Sequence, residues 1–284
     1  MHCATPPTAR PHKADGVDTL ALNLSPLPKS LYKYRSLSGE AAGYTRDILV
    51  NHRLWFSTAS MFNDPFDSYP YLSFEGSQEQ YERFITRTVD VALKAGHLVN
   101  RATSIQNLLS QPREALFEQM QASPPEHLDH LAVCCLSGAA DQVLMWSHYA
   151  SSHTGICLRF NTRIPQTDLP DLAYKVDYQR ARPIVNRVTA PEDYEQLFAA
   201  MLVKADFWEY EDEYRMFRPD RLNGAGHESF APDRLDGVIF GARCSTDDRR
   251  MVMDWIAERG DGVEILEAVP DPKQYRLDLR SLSH

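Results

Sequence analysis

Apolar and polar positions change period several times along the chain, and each change marks an element. They fall at helical spacing from Ala41 to His52 and then form a short extended run from Arg53 to Thr58, which predicts a helix followed by a strand. Residues 76 to 131 return to the helical period in "EQYERFITRTVDVALKAG", "TSIQNLLSQ" and "REALFEQMQ", a mostly helical stretch. From residue 132 the pattern mixes. "LAVCCLS" reads as strand, "ADQVLMWSHYA" as helix, "TGICLRF" and "LAYKVDY" as strands, and "PEDYEQLFAAMLVKADFW" as one helix. "EYRMF", "DGVIFG" and "GVEILEAV" read as strands, with a helix from Thr246 to Glu258 between the last two. Short strands irregularly separated by helices and long loops predict an α+β fold rather than a regular alternation. Residues 1 to 29, rich in Pro, Ser and Thr, read as a flexible tail. Residues 30 to 284 read as a single α+β domain with 76–131 as a helical insertion.

Composition narrows the class. A chain of 284 residues, 43% apolar and 10% aromatic, builds its own core without staples. No run of about 18 apolar residues exists, and the N-terminus lacks the apolar region of a secretory signal, so a cytoplasmic protein without membrane partners is expected, with secretion as an effector left open. Cys3, Cys134, Cys135, Cys157 and Cys244 have neither zinc spacing nor disulfide density. His127 and His130 lack a third placed ligand, and no metal is expected. The formal charge of −9 argues against coating nucleic acid, yet is compatible with a small anion held by local cations.

Two stripes suggest chemistry. If Glu211 to Phe217 is extended, Glu211, Glu213 and Arg215 share one face, opposite Asp212, Tyr214 and Met216. In "LYKYRS", Lys33 and Arg35 point together, opposite Tyr32 and Tyr34. Meeting across a cleft, the stripes would set an anion-holding pair against a catalytic carboxylate, suited to a phosphate-bearing substrate with a cationic transition state. The plain structural alternative is a solvated ion-pair ladder.

"DQVLMWSHYASSHTGICLRF" is the other dense block. On a helix capped by Asp141, Met145, His148 and Tyr149 lie on one face, and Trp146 and Tyr149 are one turn apart. His148 and Tyr149 are placed to close over a ligand's ring or ribose; a hydrogen-bonded core histidine is the alternative. Gly155 lets the backbone approach closely before the next strand. In "LWFSTASMFNDPFD", Ser57 and Thr58 end a core strand at a pocket mouth, and Asn63, Asp64 and Pro65 form a turn pinned by Phe62 and Phe66. Asp64 and Asp67 then cap local backbone N–H groups, or one touches the ligand.

The blocks "LYKYRS", "LWFST…FNDPFD", "MWSHYA…HTGICLRF", "WEYEDEYR" and "DGVIFG", spanning roughly residues 31 to 241, together resemble a widespread bacterial family of domains of unknown function. More distantly, the order of a Leu-Tyr strand, an aromatic strand ending in Ser-Thr and a Glu opening a late strand resembles the ADP-ribosyltransferase superfamily. That resemblance implies a mixed, mostly antiparallel split sheet, and NAD as a consumed substrate without a metal. It places Tyr32 and Lys33 at the nucleotide anchor, Ser57 at the nicotinamide pocket and Glu213 beside the reacting ribose. It further implies that Glu211 orients the acceptor or the ribose hydroxyls, that Lys33 and Arg35 hold the pyrophosphate, and that Trp55, Phe56 or Tyr34 wall the nicotinamide. Asn63, Asp64, Phe66, Trp146 and Tyr149 complete the expected NAD-binding set, with His148 beside the catalytic carboxylates. The acceptor would be protein, nucleic acid, a small molecule or water, in a toxin, effector or phage-defence setting. The alternative is a non-catalytic nucleotide-sensing or protein-interaction module.

Overall fold

The computed structural model describes residues 26–122, 131–163, 173–189, 194–218, 224–260 and 262–282, with nothing said of the side chains of residues 194 and 195. Most of the predicted tail, and His127 and His130, lie outside these residues. Within the tail's last few residues, Leu27 packs against the main core and the Lys29 carbonyl accepts from Thr162 N–H at 3.1 Å, so these residues belong to the packed structure rather than to a tail.

The architecture is α+β around a mostly antiparallel open sheet. β1 (Ser30–Arg35) pairs along its length with β5 (Ile156–Asn161), which pairs with β12 (Leu235–Phe240). Parallel β13 (Glu264–Pro270) and antiparallel β14 (Leu277–Ser281) extend that side. On the other side, β4 (Ala132–Ser137) bridges two strands that do not pair with each other. Its Ser137 is opposite Tyr32 of β1, while Val133 and Ala132 are opposite Ser57 and Thr58 of β2 (Arg53–Thr58). β2 then carries the edge strand β11 (Gly226–Ser229). The opposite edge of β4 pairs with β10 (Glu213–Phe217) from end to end, and β10 with β6 (Ala173–Lys175). The sheet therefore opens between β1 and β2, under β4.

Helices α1 (Glu40–Asn51) and α7 (Thr246–Arg259) pack together, and the main core collects Ile48, Leu49 and Val252 with inward residues of the sheet. Helix α1 ends where His52 turns left-handed and donates its N–H to the Asp47 carbonyl. The insertion forms α2 (Gln78–Lys94), α3 (Arg101–Leu109) and α4 (Arg113–Ala122). Its start is set by a reciprocal cap between Ser77 and Gln80. These helices share a separate core with β3 (Tyr71–Ser73), β8 (Ile184–Asn186) and α6 (Tyr194–Ala200), through Phe84, Ile85, Val185 and Leu197. The insertion is thus the larger part of a second packing unit, which periodicity alone did not reveal.

Three predicted elements are corrected. The helix expected to run through residue 208 stops at Ala200, and β9 (Val203–Ala205) and a 3-10 turn over Asp206–Glu211 follow. Extending the chain lets Val203 and Lys204 pair in parallel with β7 (Asp177–Gln179), burying Leu202 and Val203. "LAYKVDY" breaks at Val176, where pairing passes from β10 to β9: Val176 N–H bonds to the Glu213 carbonyl at 2.9 Å and Asp177 N–H to that of Leu202 at 2.8 Å. Helix α5 (Val143–Tyr149) is shorter than its apolar pattern, and a left-handed run through Ser151, Ser152 and His153 follows it. Beyond it Gly155 packs so tightly that a Cβ there would sit 2.1 Å from the Arg35 carbonyl oxygen, the close approach expected of that glycine.

Candidate functional site

The site grows out of the opening in the sheet. Between Ser137 and Val133, the β4 edge facing β1 and β2 lacks a strand partner, and the Cys135 carbonyl there accepts from Lys33 Nζ at 2.9 Å. This leaves a hollow of about 190 Å³ in front of β4, lined on one side by Tyr32, Lys33, Tyr34 and Arg35 and on the other by Tyr149, Glu211 and Glu213. The basic and acidic stripes read from the sequence border the same hollow but do not share a face: Ser137 is opposite both Tyr32 and Glu213, so the tyrosines take the Glu213 face and Lys33 and Arg35 the other.

Alternation along β10 places Glu213 and Arg215 on one face, both essentially without solvent contact. Glu211 joins them from the 3-10 turn rather than from a strand, because Asp212 turns left-handed and restarts the chain as β10. Lys204 arrives from β9 and Asp67 from the loop after β2. Lys204 Nζ lies 2.5 Å from Glu211 Oε2, 2.9 Å from Glu213 Oε2 and 3.3 Å from Asp67 Oδ2. Arg215 donates from Nε to Glu213 Oε1 at 2.8 Å, and from Nη2 to both Asp67 oxygens at 2.8 and 2.9 Å. Its Nη1 reaches Ser68 Oγ at 3.0 Å.

Among the described residues Asp67, Glu211 and Glu213 pair with Lys204 and Arg215 alone, so full ionisation leaves this buried network one negative charge in excess. Burying five ionised groups costs several kcal/mol per ion unless each is well paired. Glu213 meets that condition: burial works to raise its pKa, but Arg215 and Lys204 outweigh it and hold the carboxyl far below the ordinary range. Burial likewise works against Lys204, yet Glu213, Asp67 and Glu211 keep its pKa raised. Glu211 departs in the other direction. Burial first, and then the neighbouring Glu213 charge, lift it above the ordinary carboxylate value despite Lys204. The Tyr149 hydroxyl, itself held protonated chiefly by burial, donates to Glu211 Oε1 at 2.6 Å. Of the two glutamates, Glu211 is therefore the one that takes up a proton at the higher pH.

Several expected positions fall elsewhere. Phe56 has no exposed surface and lies in the main core, so it does not wall a ligand. Trp146 is equally buried and spends its indole N–H on the Ala140 carbonyl at 2.8 Å. His148 points away from the hollow, exposed, its ring 6.2 Å from that of Tyr210. Trp55 and Ser57 face a separate hollow beyond Lys33 and Arg35. Of the "FNDPFD" loop, Asn63, Phe62 and Asp67 line the central hollow. Asp64 instead accepts from Phe66 N–H at 2.9 Å and from the Trp208 indole at 2.8 Å, fastening the loop to the 3-10 turn. Phe66 is exposed, with the Arg182 guanidinium 5.5 Å from its ring. Asp67, read as a local cap, is a long-range ion-pair partner.

Sequence reasoning missed Lys204 and Tyr178, whose hydroxyl accepts from Glu213 N–H at 2.8 Å. The signal for Lys204 was a single lysine inside the apolar run "AAMLVKADFW". Among the described residues no group of three His, Cys, Asp or Glu side chains is placed to hold a metal, and no helix is long and apolar enough to cross a membrane.

Residues 145–216 match the model of a family described as "Protein of unknown function (DUF2971)". The matched stretch contains Tyr149, Lys204, Glu211, Glu213 and Arg215 and leaves out Lys33, Arg35 and Asp67. No curated protein and no solved structure matches the chain.

Proposed function

We propose, taking the matched stretch as the acidic half of the site, that the chain consumes NAD by breaking the nicotinamide–ribose bond. Glu211 rather than Glu213 is then the carboxylate beside the sugar. The observation that carries this reading is one hollow lined by Glu211 and Glu213 together with Tyr32, Tyr34, Lys33 and Arg35. A mostly antiparallel sheet that opens between β1 and β2 is compatible with the split sheet that the ADP-ribosyltransferase resemblance implies.

The chemistry follows from the bond. As the C1′–N bond breaks, its electron pair passes to the pyridinium nitrogen, nicotinamide leaves neutral, and the ribose becomes an oxocarbenium-like cation. A carboxylate beside that cation stabilises the transition state more than the neutral sugar. Glu213 is compensated by two cations, whereas Glu211 belongs to the network's uncompensated charge. Water or an acceptor hydroxyl or amine then attacks C1′ and gives up a proton, for which Glu211 is the nearest base. The hollow is smaller than the roughly 300–1,000 Å³ typical of sites for drug-sized ligands, so it suits the nicotinamide riboside end, with phosphates directed to Lys33 and Arg35.

The test is nicotinamide release from NAD by the purified full chain, compared with Glu211→Gln. Loss of about 10²-fold or more in turnover by a folded variant is expected, on the scale of removing one charge-stabilising group. Unchanged turnover would remove Glu211 from the reaction. One observation favours the alternative of a nucleotide-sensing module: both oxygens of Glu211 are already engaged, Oε1 by Tyr149 and Oε2 by Lys204. NAD binding without time-dependent nicotinamide release would decide for it.

A further inference from the structure

On the far side of Lys33 and Arg35 lies a second hollow, of about 230 Å³, which nicotinamide release leaves unexplained. β1 contributes the two cations, α1 Tyr44 and Asp47, β2 Arg53 and Trp55, and β11 His227. Its charge is unbalanced. Asp47, the one carboxylate lining it, already accepts from Arg53 and Asn51 at 2.6 Å each, with His227 Nε2 at 3.4 Å. Arg35 donates to the Thr45 hydroxyl at 3.3 Å and has no carboxylate partner among the described residues. In a chain of net charge −9, a partly buried guanidinium without a counter-ion favours an anion whose oxygens it can chelate.

The opposite wall is aromatic. The Trp55 ring lies 4.9 Å from that of His227 and 6.3 Å from that of Tyr44, and Tyr44 is 46% exposed at the rim. Rings beside an uncompensated guanidinium suit a ligand that joins a flat heterocycle to a phosphate.

We propose that this hollow binds a nucleoside 5′-phosphate, with its phosphate on Arg35 and its base against the wall of Tyr44, Trp55 and His227. The site extends the NAD reading but does not rest on it, because a mononucleotide such as AMP contains no nicotinamide bond.

The probes are AMP, adenosine and inorganic phosphate, titrated calorimetrically into the full chain. AMP binds, and adenosine and phosphate each bind about tenfold more weakly or worse. Trp55→Ala and Arg35→Gln each weaken AMP by about tenfold or more, as expected for losing one stacking ring or one chelating cation. Tyr44→Ala, at an exposed helix position, gives a smaller loss in a variant whose folding is not at stake. No AMP binding at millimolar concentration overturns the proposal. So does AMP affinity that survives both Tyr44→Ala and Trp55→Ala, or phosphate binding as tightly as AMP. Nicotinamide release by the parent is measured alongside: AMP binding without release sinks only the NAD reading, and release without AMP binding sinks only this one.

Discussion

Tyr149 donates its hydroxyl to Glu211 Oε1 at 2.6 Å, joining the end of α5 to the 3-10 turn before β10 across the rim of the central hollow. The other Glu211 oxygen is held by Lys204, so the carboxylate is fixed from two sides.

Tyr149→Phe keeps the ring but deletes that donor. Nicotinamide release should fall about tenfold, with stability changed by no more than about 1.5 kcal/mol, the net worth of one ordinary hydrogen bond. Thermal unfolding and turnover measured on the same preparation check both. Full activity would show that Glu211 needs no orientation from α5.

The two glutamates predict opposite pH trends. Glu211 is raised in the folded protein above the ordinary 4.5. Its contribution to stability is therefore complete below that value and is lost as pH rises through its folded pKa. Glu213 is lowered, so its contribution is present above 4.5 and is lost as pH falls through its folded pKa. Glu211→Gln should gain in Tm on the parent as pH rises from about 4.5. The deficit of Glu213→Gln should shrink as pH falls below it. Flat Tm differences for both variants would contradict these assignments.

The pH dependence of turnover offers an independent reading. Because burial raises Glu211, the acidic limb of nicotinamide release should lie above the range of an ordinary carboxylate, and it should vanish from the residual activity of Glu211→Gln. An acidic limb unchanged in that variant would assign it to another group.

Arg215→Met removes the cation that neutralises Glu213 and Asp67. Leaving those carboxylates buried should cost about 3–5 kcal/mol, the usual penalty for breaking a buried pair from one side. Urea denaturation measures it. A loss below about 1 kcal/mol would mean that the carboxylates reprotonate or rehydrate freely.

How much of this was legible in the sequence depended on range. The helix before β2, β2 itself and the alternation of Glu213 with Arg215 were readable, because a local period determines which face each residue takes. Lys33 and Arg35 border the acidic hollow, but register gives them the sheet face opposite Glu213, which the spacing within either strand could not reveal. Phe56 and Trp146 were misplaced because an aromatic residue in a motif reads alike whether it walls a ligand or fills a core. Only tertiary packing separates the two. Lys204 was hidden by a helical period that the chain abandons after Ala200 to pair with β7. Asp67 looked like a local cap because nothing in its neighbourhood announces an arginine so distant in sequence.

That arginine, Arg215, stands 148 positions from Asp67. All of the chain between Asp67 and Arg215 must be made before the guanidinium meets its counter-ion, so assembly of this centre is a long-range event in folding. A fragment trimmed to residues 145–216 would carry Glu211 and Glu213 without Asp67 or β4, exposing one border of β10 as a template for strand addition between molecules. Such a fragment should aggregate, so the boundaries of the matched stretch mark a pattern of residues rather than a unit that can be cut out and studied alone.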